Sequence, residues 1–166
     1  MADLPDAAQV IAQALDARGE TLAVAETAAG GLISARLLAI PGASRWFLGG
    51  AVAYSAGAKA AWLGLSPEDL AGSGVVSAES AAAMARAARE RLGATWGLAE
   101  AGIAGPQTGR RSTKPAGLVY VAVSGLIDGV EEVRTGLEDR AGNQQAFAAA
   151  ALRLLARVLS EASGRR

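Results

Sequence analysis

Apolar and polar positions follow two periods along this chain. Ala7, Val10, Ile11, Ala14 and Leu15 fall at helical spacing within Asp6–Arg18, with Gly19 placed to stop the helix. Thr21–Ala25 is a short β run. A second helix is predicted from Gly30 or Gly31 to about Ile40, where Pro41 cannot continue it, and Pro41-Gly42-Ala43-Ser44 reads as a turn. Trp46–Tyr54 reads as a strand in which Gly49-Gly50 allows close backbone approach. Ala56–Leu63 is predicted helical, ending at Gly64. Ser66-Pro67-Glu68-Asp69 has the cap, the proline and the acids of a helix start, for a short helix that Gly72 and Gly74 end. Ser77 caps a helix reaching about Leu92, with Gly93 beyond it. Trp96 to Glu100 or Ala101 reads as a buried strand, followed by a long loop, Gly102–Pro115. Gly117–Ser124 and Val130–Thr135 are strands joined by a hairpin-like turn at Gly125–Gly129. Gly142–Ala162 is a long helix with Phe147, Ala151, Leu154, Leu155 and Val158 on one face, and Ser163–Arg166 reads as a frayed tail.

Helices and strands alternate, and a hairpin closes the set. That order predicts an α/β fold, a three-layer α/β/α sandwich around a mixed sheet, with ligands bound where strand ends meet helix starts. The 166 residues are most simply one domain, 1–166. No apolar run is long enough to span a bilayer and the start does not read as a signal peptide, so a soluble, cytoplasmic protein without a membrane partner is expected. Net charge is zero, which gives no electrostatic case for a nucleic-acid partner; Arg110, Arg111 and Lys114 form the one local basic cluster. A homodimer is expected from the apolar face of the last helix.

Composition narrows the chemistry further. The chain has no Cys and no His, which removes thiolate nucleophiles, Cys-ligated metals, Ser-His-Asp triads and imidazole bases. Acid–base work falls to Asp, Glu, Lys or Tyr, and a nucleophile must be Ser, Thr, a carboxylate, Lys, Tyr or activated water.

The stretch Ala25-Glu26-Thr27-Ala28-Ala29-Gly30-Gly31 runs from strand to helix, and the N–H groups of such a turn favour an anion or a developing oxyanion. Thr27 is either a nucleophile or substrate-positioning hydroxyl there, or a capping hydroxyl. Glu26 either orients a ligand or lysine, or is a solvated or salt-bridged strand-end acid. Gly30 and Gly31 belong to no Walker A or GxGxxG motif. Lys59, five residues past Tyr54, is one of only two lysines and is a candidate base beside a hydroxyl; the commoner role is a surface lysine. Gly102-Ile103-Ala104-Gly105-Pro106 is a second place where backbone N–H groups meet a ligand or simply turn the chain. Arg140 suits bidentate recognition of phosphate or carboxylate, or an intrahelical ion pair.

Together these segments resemble the CinA C-terminal domain family, which includes bacterial nicotinamide-nucleotide amidases. The blocks that carry the resemblance are Ala25–Gly31, Pro41–Ser44, Phe47 to Tyr54-Ser55, Ala58-Lys59, Gly74–Ser77, Gly102–Pro106, Lys114–Gly117 and Asp139-Arg140. The resemblance implies an α/β/α sandwich, no required metal or cofactor, and hydrolysis of the carboxamide of nicotinamide mononucleotide to nicotinate mononucleotide and ammonia. By position it makes Thr27 the nucleophile and Lys59 its base, with Tyr54 and Ser44 holding the proton network. Backbone N–H groups from Ala28 to Gly31 become the oxyanion hole. Glu26, Gly30, Gly31, Gly102, Gly105 and Arg140 contact the substrate, a small-molecule mononucleotide. The family's turn usually reads Glu-Ser-Cys-Thr-Gly-Gly; here Thr27, Ala28 and Ala29 replace its middle three residues. The hydroxyl before Gly-Ile-Ala-Gly-Pro is Ala101, the Asn after Tyr-Ser is Ala56, the stretch after Pro106 is Gln107–Arg111, and a second terminal Arg is Gln144. These departures leave a second class of function open, a binding or regulatory module with the pocket kept and the chemistry lost.

Overall fold

The structure is a computed structural model and describes residues 4–70, 74–106 and 113–165, with side chains from residue 7 onward. Arg110, Arg111 and the Gln107–Arg111 stretch lie outside the described residues. In chain order the elements are α1 (Leu4–Arg18), β1 (Leu22–Glu26), α2 (Leu32–Leu38), β2 (Phe47–Val52), α3 (Ala56–Leu63), α4 (Ala78–Leu92), β3 (Trp96–Gly102), β4 (Leu118–Ser124), β5 (Gly129–Arg134) and α5 (Arg140–Gly164). Single 3₁₀ turns occupy Ala43–Arg45 and Glu68–Leu70. The strands form one sheet in the order β2-β1-β3-β4-β5, with β1 parallel to β2 and β3, and β4 antiparallel to both its neighbours. This is the expected α/β sandwich with a mixed sheet.

The layers follow from the alternation of large and small side chains in the buried strands. Leu22 and Val24 of β1, with Trp96 and Leu98 of β3, face a core built by α1, α2 and α5 through Ile11, Leu15, Ile33, Leu37, Phe147 and Leu155. The intervening Ala23, Ala25, Ala99 and Ala101 face α3 and α4, where Leu63, Met84, Ala85 and Ala88 pack. Small residues there let α4 lie close. A Cβ built on Gly97 would stand 2.0 Å from the Ala85 carbonyl oxygen.

Several boundaries differ from the pattern. Gly30 and Gly31 sit at φ 67° and 98°, a left-handed backbone that ends the turn, so α2 starts only at Leu32. The Ser66 start yields one 3₁₀ turn, closed by Ser66–Asp69 hydrogen bonds. β2 stops at Val52 and leaves Tyr54 in the connection to α3. α5 begins at Arg140 instead of Gly142, because Asp139 caps it by accepting from the Gly142 N–H at 2.6 Å. Its far end is held by Arg18, which donates to the Leu159 carbonyl (2.9 Å) and to Ser163 Oγ, so the predicted tail stays helical to Gly164. Among the described residues no helix is long and apolar enough to cross a membrane.

Candidate active site

β1 passes to β2 on one side of the sheet, and the chain then returns through α3 and α4 to β3 on the other. The carboxyl ends of β1 and β3 therefore flank the point where the winding reverses, the usual ligand crevice of such sheets. Thr27 follows β1 at this point and Glu100 lies near the end of β3.

Glu100 was not singled out from the sequence, yet it organises the turn. Its side chain is fully buried. Oε1 accepts from the N–H of Thr27 (2.5 Å) and of Ala29 (2.8 Å). Thr27 Oγ1 donates to the Glu100 carbonyl oxygen at 3.2 Å and lies 3.4 Å from its Oε2. Burial pushes the Glu100 carboxyl up to about 7; the two N–H bonds pull it down and the nearby Glu26 charge raises it. The available signal was one acid in the otherwise apolar run Trp96–Ala101, immediately before Gly102.

Glu26, expected to meet a ligand, is fully buried and caps α2 instead. Oε1 accepts from Gly31 N (3.1 Å) and Ile33 N (3.0 Å), and Oε2 accepts from Ser34 N (2.9 Å). These are the N–H groups that a helix start leaves without partners, and Gly31 has no side chain to serve them. Gly30 N donates to the Thr27 carbonyl at 3.1 Å. The open oxyanion hole expected over Ala28–Gly31 is therefore largely filled by the chain's own carboxylates and carbonyls. Among the described residues, the Ala28 N–H is the one in this turn without a hydrogen bond. Gly30 and Gly31 contribute conformation instead: a Cβ on Gly30 would come within 3.1 Å of Gln144 Nε2.

Lys59 lies in α3, which Ser55 caps by accepting from the Ala58 N–H at 3.1 Å. It is 4% exposed, the opposite of a surface lysine. Burial lowers its proton affinity and the Glu100 carboxylate partly restores it. Thr27 and Lys59 share no hydrogen bond; each is tied to Glu100, Thr27 by contact and Lys59 by charge.

Tyr54, Arg140 and Gly105 come together. Arg140 donates from Nη1 to the Gly105 carbonyl (2.8 Å) and from Nη2 to Tyr54 Oη (3.3 Å). Tyr54 is 62% exposed, so this group stands at the surface of the sheet's carboxyl end. The same turn of α5 carries two further residues into the region. Buried Asn143 donates to the carbonyls of Ala104 and Leu137, each at 3.0 Å, and Gln144 donates to the Ala28 carbonyl at 3.0 Å. A cleft of about 390 Å³ opens beside these loops, lined by Pro106, Pro115, Ala116, Gly136, Leu137 and Glu138. Gly102 serves packing: a Cβ there would lie 2.8 Å from Phe147 Cε2.

Ser44 is not part of this constellation. It is exposed on the 3₁₀ turn before β2, where Leu22 of β1 pairs with Phe47. The five residues of β1 separate that end from Thr27 by about 17 Å. Its match to an active-site position in sequence does not bring it to the site in this chain.

A family model for the CinA C-terminal domain matches residues 5–159. A CinA-like protein of Synechococcus elongatus is 48% identical over 124 residues, covering 75% of this chain and 29% of the relative. A CinA-like protein of Trichormus variabilis is 42% identical over 155 residues, covering 92% of this chain and 37% of the relative. The chain thus spans about a third of the length of these two relatives. Among solved structures, the competence/damage inducible protein CihA of Agrobacterium tumefaciens superposes with a TM-score of 0.87 at 33% identity, over 96% of this chain and 97% of that one. A CinA superfamily protein of Klebsiella pneumoniae gives 0.88 at 27% identity, over 96% and 99%. With this sheet, this turn and a family match over nearly its whole length, the chain belongs to the CinA C-terminal domain family.

Proposed function

We propose that this chain is an amidohydrolase that converts the carboxamide of nicotinamide mononucleotide to the carboxylate, releasing ammonia. One observation carries the reading: the Thr27 hydroxyl is held against a buried carboxyl, Glu100, that titrates at about 7, with buried Lys59 in its field. In a chain without Cys or His, that is a hydroxyl nucleophile with an acid–base partner poised at working pH. Thr27 Oγ1 attacks the carboxamide carbon and forms an acyl-enzyme, which water then hydrolyses. Arg140, exposed and already paired with Tyr54, meets the nucleotide phosphate. Tyr54 thereby moves from the proton network to the phosphate side of the site. The substrate itself is supported by family membership and by the resemblance of the turn to that of nicotinamide-nucleotide amidases.

A second reading, a mononucleotide-binding module without turnover, is favoured by one observation. Glu100 and Glu26 already occupy most of the N–H groups that would stabilise an oxyanion. Purified protein incubated with nicotinamide mononucleotide separates the two. Ammonia release that Thr27→Ala abolishes and Lys59→Ala lowers supports the amidase; saturable binding with no ammonia supports the module.

A further inference from the structure

We propose that Glu100 is the group that takes the proton from Thr27, with Lys59 as its counter-charge and not the base. The assignment rests on Thr27 being the nucleophile of the proposed reaction, but not on which amide or ester it attacks.

The geometry favours the carboxylate over the lysine. Thr27 Oγ1 lies 3.2 Å from the Glu100 carbonyl oxygen and 3.4 Å from Glu100 Oε2, so its proton turns from the one to the other in the transfer, and it makes no hydrogen bond to Lys59. The other carboxylate oxygen is pinned by the N–H groups of Thr27 and Ala29, which fixes Oε2 toward the hydroxyl. The acceptor and the nucleophile are thus held by the same turn, and a small rotation of the Thr27 side chain tightens their contact on substrate binding. The Glu26 charge on β1 opposes ionisation of Glu100. The Glu100 charge raises the proton affinity of Lys59 on α3, and by reciprocity a protonated Lys59 favours the carboxylate. From α5 the turn receives a neutral side chain, Gln144. Arg140, also from α5, stands further out with Tyr54 and Gly105, and the buried apolar residues on the α3–α4 side of the strand end are mainly alanines. A carboxyl held near neutrality in this setting accepts a proton in the attack and returns it to the leaving nitrogen.

The step balances without a further reactant. As the Oγ1–C bond forms, the Oγ1 proton passes to Oε2 and the carbonyl π pair moves to oxygen. As the C–N bond breaks, the proton passes from Glu100 to nitrogen and ammonia leaves. Water then loses a proton to Glu100 while it attacks the ester, and Thr27 Oγ1 regains it.

The test uses p-nitrophenyl acetate, which acetylates an activated hydroxyl and needs no nucleotide. The rate of Thr27 acetylation, located by peptide mass spectrometry, is followed against pH. In the wild type it is expected to rise to a plateau with a midpoint near 7, the pH at which Glu100 loses its proton. Glu100→Gln keeps an acceptor for both N–H groups and is expected to lower the plateau about a hundredfold or more and erase the midpoint. Lys59→Ala is expected to keep the reaction and shift the midpoint to higher pH, because a favourable charge is removed. The assignment is overturned if Glu100→Gln acetylates at the wild-type rate, if Lys59→Ala erases the reaction, or if wild-type Thr27 is not acetylated at any pH. Should Glu100→Gln not fold, the wild-type and Lys59→Ala midpoints still decide. Normal acetylation of Thr27 without ammonia release from nicotinamide mononucleotide would reject the substrate and leave the assignment standing.

Discussion

At the scale of single residues, Glu100 links stability to the proposed chemistry. Its carboxyl titrates at about 7 in the fold against a usual 4.5, so the folded chain holds a proton that the unfolded chain releases between those values. Its contribution is fully present below the unfolded value and is lost as pH rises through about 7, a change of about 3 kcal/mol. Glu100→Gln cannot ionise. Urea denaturation at about pH 8 should therefore find the variant more stable than wild type by about 2–3 kcal/mol, and at about pH 5 the gap should close. A gap of the same size at both values would show that Glu100 is not the buried acid described here. A stability gain on removing a charged side chain is expected where catalysis, not folding, keeps the charge. Thr27 gives a complementary prediction. Its methyl group restricts χ1 and crowds the attack path, so Thr27→Ser should release ammonia at least as fast as wild type, whereas Thr27→Ala should release none.

At the scale of elements, the turn after β1 works because both of its flanks are capped by acids from strands. Glu26→Ala should unfold at lower urea, by about 2–4 kcal/mol, since it removes the acceptor of three N–H groups at the α2 start, one buried and two part-buried. Glu26→Gln retains an acceptor and should lose less; equal losses would argue against the cap. The first turn of α5 is the second organiser, because Arg140 and Asn143 hold the loop after β3 and Gln144 holds the turn after β1. Asp139→Ala should cost about 1 kcal/mol by removing its cap.

These elements also show what was legible in the sequence and what was not. Helix and strand types followed from periodicity and from short apolar runs, whereas the alternation of large and small residues that sorts the two cores emerged only with the fold. Glu26 and Glu100 were harder. One looked like a strand-end acid, although its partners lie only five to eight residues away. The other bonds a turn 71 to 73 residues earlier, and no local pattern encodes a pairing at that separation. Ser44 failed for the converse reason: its block matches the family, but position along a strand decides which end of the sheet a residue occupies. Thr27, Lys59, Tyr54, Gly105 and Arg140 do converge on the carboxyl end of the sheet, although Thr27 and Lys59 meet through Glu100 and not directly.

At the scale of the whole molecule, the sheet divides two unlike cores. Large aliphatic and aromatic side chains fill the side of α1, α2 and α5, while alanines predominate on the side of α3 and α4. The second layer depends on backbone proximity more than on side-chain volume. Gly97→Val should therefore destabilise the protein severely, by more than about 3 kcal/mol, since its Cβ position already overlaps the Ala85 carbonyl and neither backbone can yield. That close layer matters to the site because it seats α3, and with it Lys59, near the ends of β1 and β3. The most direct measurement of the central claim is ammonia release from nicotinamide mononucleotide by the purified protein and its Thr27→Ala variant, between about pH 6 and pH 9. The expected result is catalytic release with nicotinate mononucleotide formed in equal amount, rising through about pH 7 and absent in the variant. Release no greater than that of Thr27→Ala across this range would contradict it.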